Sequence, residues 1–314
     1  MEKKTGKLQV AILCGGHSVE HEVSLLSAKN VLMALNRDNY EPVVIFIDKA
    51  GSWWLVNEEE LQHGTLGITH HSPRIPVSFR PNCQGILTHY TDPIHSQKID
   101  VVFPVLHGLH GEDGSVQGNL QLAKIPFVGS DVLGSAIVMD KEVTKQLLQN
   151  AAIPIGAFRA FHRQDAIDYS QIFAELGCPV FVKPASLGSS IGIAKASDVA
   201  TLQAAIANAF SFNKKIMVES FIKGRELECA VLGNTVPKAS IVGEIIPSHV
   251  FYTYEAKYID SEGARLIIPA SLTASMSDQV RALSVAAFQI LNCAGMARVD
   301  FFLREDNTLL INEG

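Results

Sequence analysis

The sequence predicts two architectures in series: a doubly wound α/β domain with a parallel sheet over roughly residues 1–129, then an α+β region with a largely antiparallel sheet. Three observations predict it. The chain opens as strand, turn and helix, LQVAILCGG followed by EVSLLSAKNVLMALN with apolar residues at helical spacing, and EPVVIFID then begins a βαβ unit. The run IDVVFPVL is continuously apolar, as expected of a parallel strand buried on both faces. Beyond Asp140 most segments read as strands with a few interspersed helices.

Taken in order, residues 57–98 are rich in His, Pro, Gly and Asn, which predicts loops or edge strands, and IPFVGS is a further short strand. MDKEVTKQLLQNAA is an amphipathic helix with Asp140 as its N-cap. CPVFVKP is a strand entering a Gly/Ser loop, and SDVATLQAAIANAF a further helix. KIMVESFI, RELECAVLG, ASIVGEII, ARLIIPA, ARVDFFL and TLLIN read as strands around a helix at SDQVRALSVAAFQIL. In the first domain, ligands are expected at the carboxyl ends of the parallel strands.

Composition limits the function classes. Hydrophobic residues are 47% and charged residues 18% of 314, an ordinary globular balance. A net charge of −6 without a Lys/Arg stripe argues against nucleic acid. No apolar run is long enough to span a bilayer, and the N-terminus lacks the extended apolar core of a signal peptide, so a cytoplasmic protein with no membrane partner is expected. The five cysteines are scattered and never spaced C-x-x-C, which favours reduced thiols over a disulfide or zinc framework.

Five stretches carry candidate chemistry. HGLHGEDGSVQG at 107–118 packs two histidines, two carboxylates and four glycines behind a buried strand, and is either a hydrated turn or an active-site wall. CGGHSVEHEVS at 14–24 puts Gly15-Gly16 between strand and helix, where a ligand can approach the backbone and the helix N-terminus favours an anion; Glu20 and Glu22 equally suit the helix dipole. Hydrogen-bonded or solvated roles suit His17, His21, His107 and His110 better than a metal site. VKPASLGSSIG at 182–192 is either a phosphate-cradling loop beside Lys183 or a hairpin turn with a solvated lysine.

In ARVDFFLREDNTLLINEG, Arg298 and Asp300 share a strand face, and a hairpin loop of even length puts Glu313 on that face, opposite Asp300 or Arg298. Two hard carboxylates suit Mg²⁺ with nucleotide phosphates, and the guanidinium can hold developing charge. A structural salt-bridge ladder is the competing reading. HVFYTYEAKYIDSEGAR at 249–265 is either a flap that closes over a site or a surface loop.

Together, GGHSVEHEVSL, HGLHGEDGSVQG, MDKEVTK, VKPASLGSSIG, the EAKY loop, GMARVDFFL and INE resemble the D-alanine–D-alanine ligases of the ATP-grasp superfamily, in order and over nearly the whole chain. The resemblance implies an N-terminal α/β domain (1–129) binding the first D-alanine, followed by two ATP-grasp subdomains (130–218 and 219–314) holding ATP. It implies Lys141 and Lys183 on the α- and β-phosphates and Ser189 and Ser190 in the loop over them. Glu219, Ser220, Phe221 and Ile222 match the adenine hinge, Glu226 the acid on the ribose, and Lys257 the flap lysine on the γ-phosphate. Asp300 and Glu313 match ligands of Mg²⁺ or Mn²⁺, with two ions per site expected, and Arg298 the arginine at the transferred phosphoryl group. Glu20 resembles the carboxylate on the first ammonium, linked with Ser189 and Tyr258, and His107 lies beside that substrate.

The implied activity is ATP-dependent ligation of two D-alanines, through D-alanyl phosphate, for peptidoglycan precursors, by a homodimer. The Lys257-Tyr258 pair is similar to the dipeptide ligases rather than to relatives making D-alanyl-D-lactate. One departure stands at the end of the sequence, where the family's further Asn ligand and the Gly-Ser region for the second substrate do not follow Glu313. A truncated chain is therefore expected to turn over weakly or not at all. The alternatives are a D-alanyl-D-lactate ligase, another ATP-grasp carboxylate–amine ligase, or a nucleotide-binding fragment without turnover. A periplasmic-type sugar-binding module shares the first domain's architecture but requires an export signal.

Overall fold

The protein is described by a computed structural model covering residues 6–66, 74–91, 96–188, 191–247 and 263–313. It divides into two compact units, 1–132 and 133–314.

In the first unit the order is β1 (Leu8–Gly15), α1 (His21–Ala34), β2 (Tyr40–Ile47), β3 (Trp53–Val56), α2 (Glu58–His63), β4 (Ile75–Phe79), β5 (Ile86–His89), β6 (Gln97–Lys98), β7 (Val101–Pro104) and α3 (Ser115–Leu122). The sheet order is β6-β5-β4-β3-β2-β1-β7. Strands β2, β1 and β7 are parallel, as the apolar runs require. The sheet then continues through β3 to β6 as an antiparallel meander.

Two expectations change here. Residues 57–98 hold a short helix, α2, which Asn57 opens by accepting from the Glu59 amide and Gly64 closes in the left-handed region. IPFVGS forms no strand but a single parallel bridge, Val102 to Phe127. Apolar clusters flank both faces of the sheet, one around Leu13, Ile45 and Val102, the other around Ile12, Val44 and Phe46.

The second unit runs α4 (Val132–Met139), α5 (Lys141–Asn150), β8 (Phe158–His162), α6 (Tyr169–Leu176), β9 (Val180–Pro184), β10 (Ala194–Ala196), α7 (Val199–Phe212), β11 (Lys215–Ser220), β12 (Arg225–Gly233), β13 (Lys238–Ala239), β14 (Gly243–Pro247), β15 (Ala264–Ile267), α8 (Ala274–Ile290), β16 (Gly295–Leu303) and β17 (Leu309–Glu313). A four-stranded antiparallel sheet, β10-β9-β11-β8, carries α6 and α7 on its apolar face. A second antiparallel sheet, β15-β14-β12-β16-β17 with β13 beside β12, packs against α8. Asp140 caps α5 as expected, accepting from the Val143 amide at 3.2 Å.

The β16–β17 hairpin corrects one premise. Leu303 pairs with Leu309, so the loop is five residues, 304–308, and odd in length. An undisturbed ladder would put Glu313 on the core side. A bulge between Asp300 and Phe301 shifts the register by one and returns Glu313 to the position opposite Asp300.

Candidate active site

In the first unit, the carboxyl ends of the parallel strands are tied together before any ligand is considered. Ser24 of α1 is fully buried; it accepts from the Gly15 amide at 2.8 Å and donates to the Val105 carbonyl. Gly15 has φ +89°, and a Cβ there would lie 2.3 Å from the Ile47 carbonyl oxygen, so only glycine fits where β1 passes the end of β2.

The 107–118 stretch builds a wall. Its two carboxylates hold the loop itself: Glu112 accepts from the Gly108 amide at 2.6 Å, and Asp113 from the amides of His110 and Ser115, each at 2.9 Å. Burial pushes the Asp113 carboxyl up, but these donors outweigh it and hold the group below its ordinary value. Gln117 donates to the Gly111 carbonyl, and α3 starts at Ser115 behind Gly114.

The His107 ring is fixed by Ser27 of α1, with Nε2 and Oγ 3.1 Å apart. Glu20, at the entry to α1, is 95% buried, and its Oε2 lies where a Cβ on Gly108 would be 2.5 Å away. Glu22 instead faces out and pairs with Lys49 at 3.1 Å. His21 bonds the Gly16 carbonyl and packs edge-on to Phe46, while His17 bonds the Lys49 carbonyl. A cavity of about 210 Å³ opens against Gly16, His17, Trp53, His107 and His110.

In the second unit, one face of the larger sheet is apolar through Leu227, Val299, Phe301 and Ile311, and the opposite face is polar. Glu228, Asp300 and Glu313 stand in one row across β12, β16 and β17. Arg298 grips Asp300 with Nε and Nη2 at 2.7 and 2.8 Å and reaches Glu228 at 3.3 Å. Partial desolvation works against the guanidinium's charge in this largely exposed side chain, but Asp300, Glu228 and Glu313 outweigh it and raise its proton affinity.

Beside this row lies a buried lysine cluster. Lys183, at the end of β9, places Nζ 2.7 Å from Glu219 Oε2 and 3.2 Å from Glu313 Oε1. Lys141 donates to the Leu187 carbonyl at 2.8 Å and lies 3.9 Å from Glu313. Lys145 places Nζ 3.0 Å from Glu219 Oε1. Burial raises the proton affinity of Glu219, yet Lys183 and Lys145 hold it below the usual carboxylate range. The two lysines diverge: burial depresses Lys145, whereas Glu219 and Glu313 outweigh burial at Lys183 and raise it.

The structure thus groups Lys141, Lys183, Glu219 and Glu313, and aligns Glu313 with Asp300 and Arg298. Ser220 donates to the Ala157 carbonyl, and Ile222 fills the space over Gly156. Phe221 is exposed and carries Lys195 above its ring at 5.0 Å. Glu226 pairs in register with Phe302, on the same face as Glu228. Ser189, Ser190, Lys257 and Tyr258 lie outside the described residues.

Two residues escaped the sequence reading. Lys145 was legible as the second lysine of MDKEVTK, one helical turn from Lys141. Glu228 was legible as the second acid of RELE, alternating onto the face of Glu226.

Comparison with known proteins decides the family. A model described as the D-ala D-ala ligase N-terminus matches residues 9–130, and one for the D-ala D-ala ligase C-terminus matches residues 147–314. The chain belongs to the D-alanine–D-alanine ligase family. A D-alanine–D-alanine ligase A of Salmonella typhimurium is 44% identical over 319 residues, covering 98% of this chain and 86% of that relative. The D-alanine–D-alanine ligase of Oceanobacillus iheyensis is 45% identical over 316 residues, with the same coverage.

Among solved structures, the Coxiella burnetii D-alanine–D-alanine ligase superposes with TM-score 0.88 at 36% identity, covering 98% of this chain and 84% of that one. A D-Ala:D-Ser ligase from Enterococcus faecalis gives 0.87 at 34%, covering 98% and 90%. The chain is therefore an enzyme with the ATP-grasp ligase fold. Among the described residues, no helix of this ligase is long and apolar enough to cross a membrane.

Proposed function

We propose that this ligase joins two D-alanines into D-alanyl-D-alanine for peptidoglycan precursors, with the residues above in the following roles. The carboxylate of the first D-alanine attacks the γ-phosphorus of ATP, ADP leaves, and D-alanyl phosphate forms. The amine of the second then attacks that carbonyl carbon, loses a proton, and phosphate leaves. Both steps gather negative charge on oxygen, which preorganised cations offset without reorganisation.

Lys141 and Lys183 hold the α- and β-phosphates, with Ser189 and Ser190 over them and Lys257 on the γ-phosphate. Glu219 to Ile222 flank the adenine and Glu226 the ribose. Arg298 faces the transferred phosphoryl group. Asp300 and Glu313 would hold Mg²⁺ or Mn²⁺, in two ions, which neutralise phosphate charge. The residues fit such a group, because two hard carboxylates stand side by side in register and nucleotide phosphates and water complete the coordination. Glu20 takes the ammonium of the first D-alanine, linked with Ser189 and Tyr258, and His107 lies beside that substrate. ATP as co-substrate places the reaction in the cytoplasm, and a homodimer is the expected assembly.

The observation that carries this reading is the row of Asp300 and Glu313 beside the buried Lys183. The test is ADP release with ATP, Mg²⁺ and D-alanine against an L-alanine control, with the dipeptide identified by mass. Equal release with L-alanine would refute it. The likeness to a D-Ala:D-Ser ligase favours one further reading, in which D-serine is the second substrate. Competition of D-alanine with D-serine and D-lactate at neutral pH separates these products.

A further inference from the structure

Lys145 sits one turn beyond Lys141 on α5, and its side chain is only 3% exposed. The four-residue spacing puts both lysines on one helix face. Its ammonium lies 3.0 Å from Glu219 Oε1 and 5.9 Å from the centre of the Phe158 ring. The other oxygen of the same carboxylate, Oε2, lies 2.7 Å from Lys183. Glu219 is therefore divided between two buried lysines, one oxygen to each.

That division has a geometric consequence. An ammonium has three donors. With Oε1 in ion-pair contact with the Lys145 ammonium, Glu219 meets Lys183 in an ion pair through Oε2, while Glu313 accepts a hydrogen bond from Lys183 at 3.2 Å. Among the described residues, this leaves donor capacity on Lys183 for a phosphate oxygen. Without Lys145 the carboxylate could turn both oxygens to Lys183 and draw the ammonium away. The cluster would also lose one of three ammonium groups, Lys141, Lys145 and Lys183, that stand against the two carboxylates of Glu219 and Glu313.

We infer that Lys145 is a positioning residue for ATP: through Glu219 it holds the Lys183 ammonium with one donor available to a phosphate and keeps the cluster net positive for the polyphosphate. This rests on the reading of the site as ATP-binding. Lys145 itself touches no reacting atom.

The test is a double-mutant cycle on the full chain with Lys145→Gln, Glu219→Gln and the two combined. ATP affinity is measured by calorimetry, alongside KM for ATP, KM for D-alanine and kcat. Lys145→Gln should weaken ATP binding and raise its KM about tenfold, the size expected of one charge-assisted contact, with the D-alanine KM within about twofold. In the Glu219→Gln background, where the neutral amide no longer competes for Lys183, the same change should cost less than about threefold. Lys145→Arg should restore most of the affinity. Unchanged ATP affinity in Lys145→Gln would overturn the inference, as would an equal loss in both backgrounds. If Lys145→Gln does not fold, the Arg variant and the double variant still decide it: both must bind ATP within about threefold of their own backgrounds. If the unsubstituted protein binds no ATP, the site assignment itself falls; if it binds and Lys145→Gln binds equally, only this inference does.

Discussion

Replacing Gly108 with alanine separates backbone strain from displacement of Glu20, the acid proposed to hold the first substrate. Gly108 has φ +70°, and the added Cβ would lie 2.5 Å from Glu20 Oε2 and 3.1 Å from Ser18 Oγ. The left-handed conformation costs an alanine about 1–2 kcal/mol. Ordinary contact begins at 3.4 Å, so the Glu20 carboxylate must withdraw by about 1 Å, a displacement that costs on the order of 100-fold in rate when a positioning group is involved. Gly64 supplies the control: its φ is +69° and nothing lies within 4 Å of a Cβ there. Both variants should melt a few degrees lower, as a loss of about 1–2 kcal/mol dictates. Gly108→Ala alone should lose about 100-fold in kcat/KM for the first D-alanine, with KM for ATP unchanged. The assay is coupled ADP release over a D-alanine titration, with thermal unfolding in parallel. Activity within about threefold of the parent, or an equal loss in Gly64→Ala, would refute the reasoning.

Asp300→Asn removes one charge from the carboxylate row; the Mg²⁺ concentration for half-maximal activity should rise about tenfold or more, and an unchanged Mg²⁺ titration would remove Asp300 from the proposed ligand set. Asp198 closes a capping box on α7, accepting from the Thr201 amide at 2.8 Å while Thr201 Oγ1 accepts from the Asp198 amide. Asp198→Ala should lower the urea midpoint through loss of the cap, and an unshifted midpoint would show that the box adds nothing. Burial pushes the Cys14 thiol from 9.0 up to about 12. The native state then keeps a proton that the unfolded chain releases above pH about 9, so this contribution is full below that pH and falls as pH rises toward 12. Relative to Cys14→Ala, the parent should lose stability over that window by up to about 1.4 kcal/mol per pH unit, and parallel alkaline slopes for the two proteins would exclude the effect.

Local rules carried much of the architecture and part of the site. Apolar runs marked the parallel strands, Asp140 announced the start of α5, and the two-residue spacing of Arg298 and Asp300 set them on one face, because each of these depends only on neighbours in sequence. The motif resemblance also brought Glu20, His107, Lys183 and Glu313 forward by residue type. The short helix at Glu58–His63 was hidden, because six residues with a single apolar side chain, Leu61, carry no periodicity and its caps lie in a turn-rich stretch.

What the tertiary structure alone decided concerns register and charge. The odd hairpin loop would have put Glu313 on the core side, and only the bulge after Asp300 returns it beside its partner. Likewise, nothing in sequence shows that Glu219 lends one oxygen to Lys145 and the other to Lys183, or that Glu112 and Asp113 are spent on their own loop. The sequence determined which groups this ligase can use; the pairing of distant strands determined which of them share a face, because a side chain's direction along a strand reverses with every one-residue change of register.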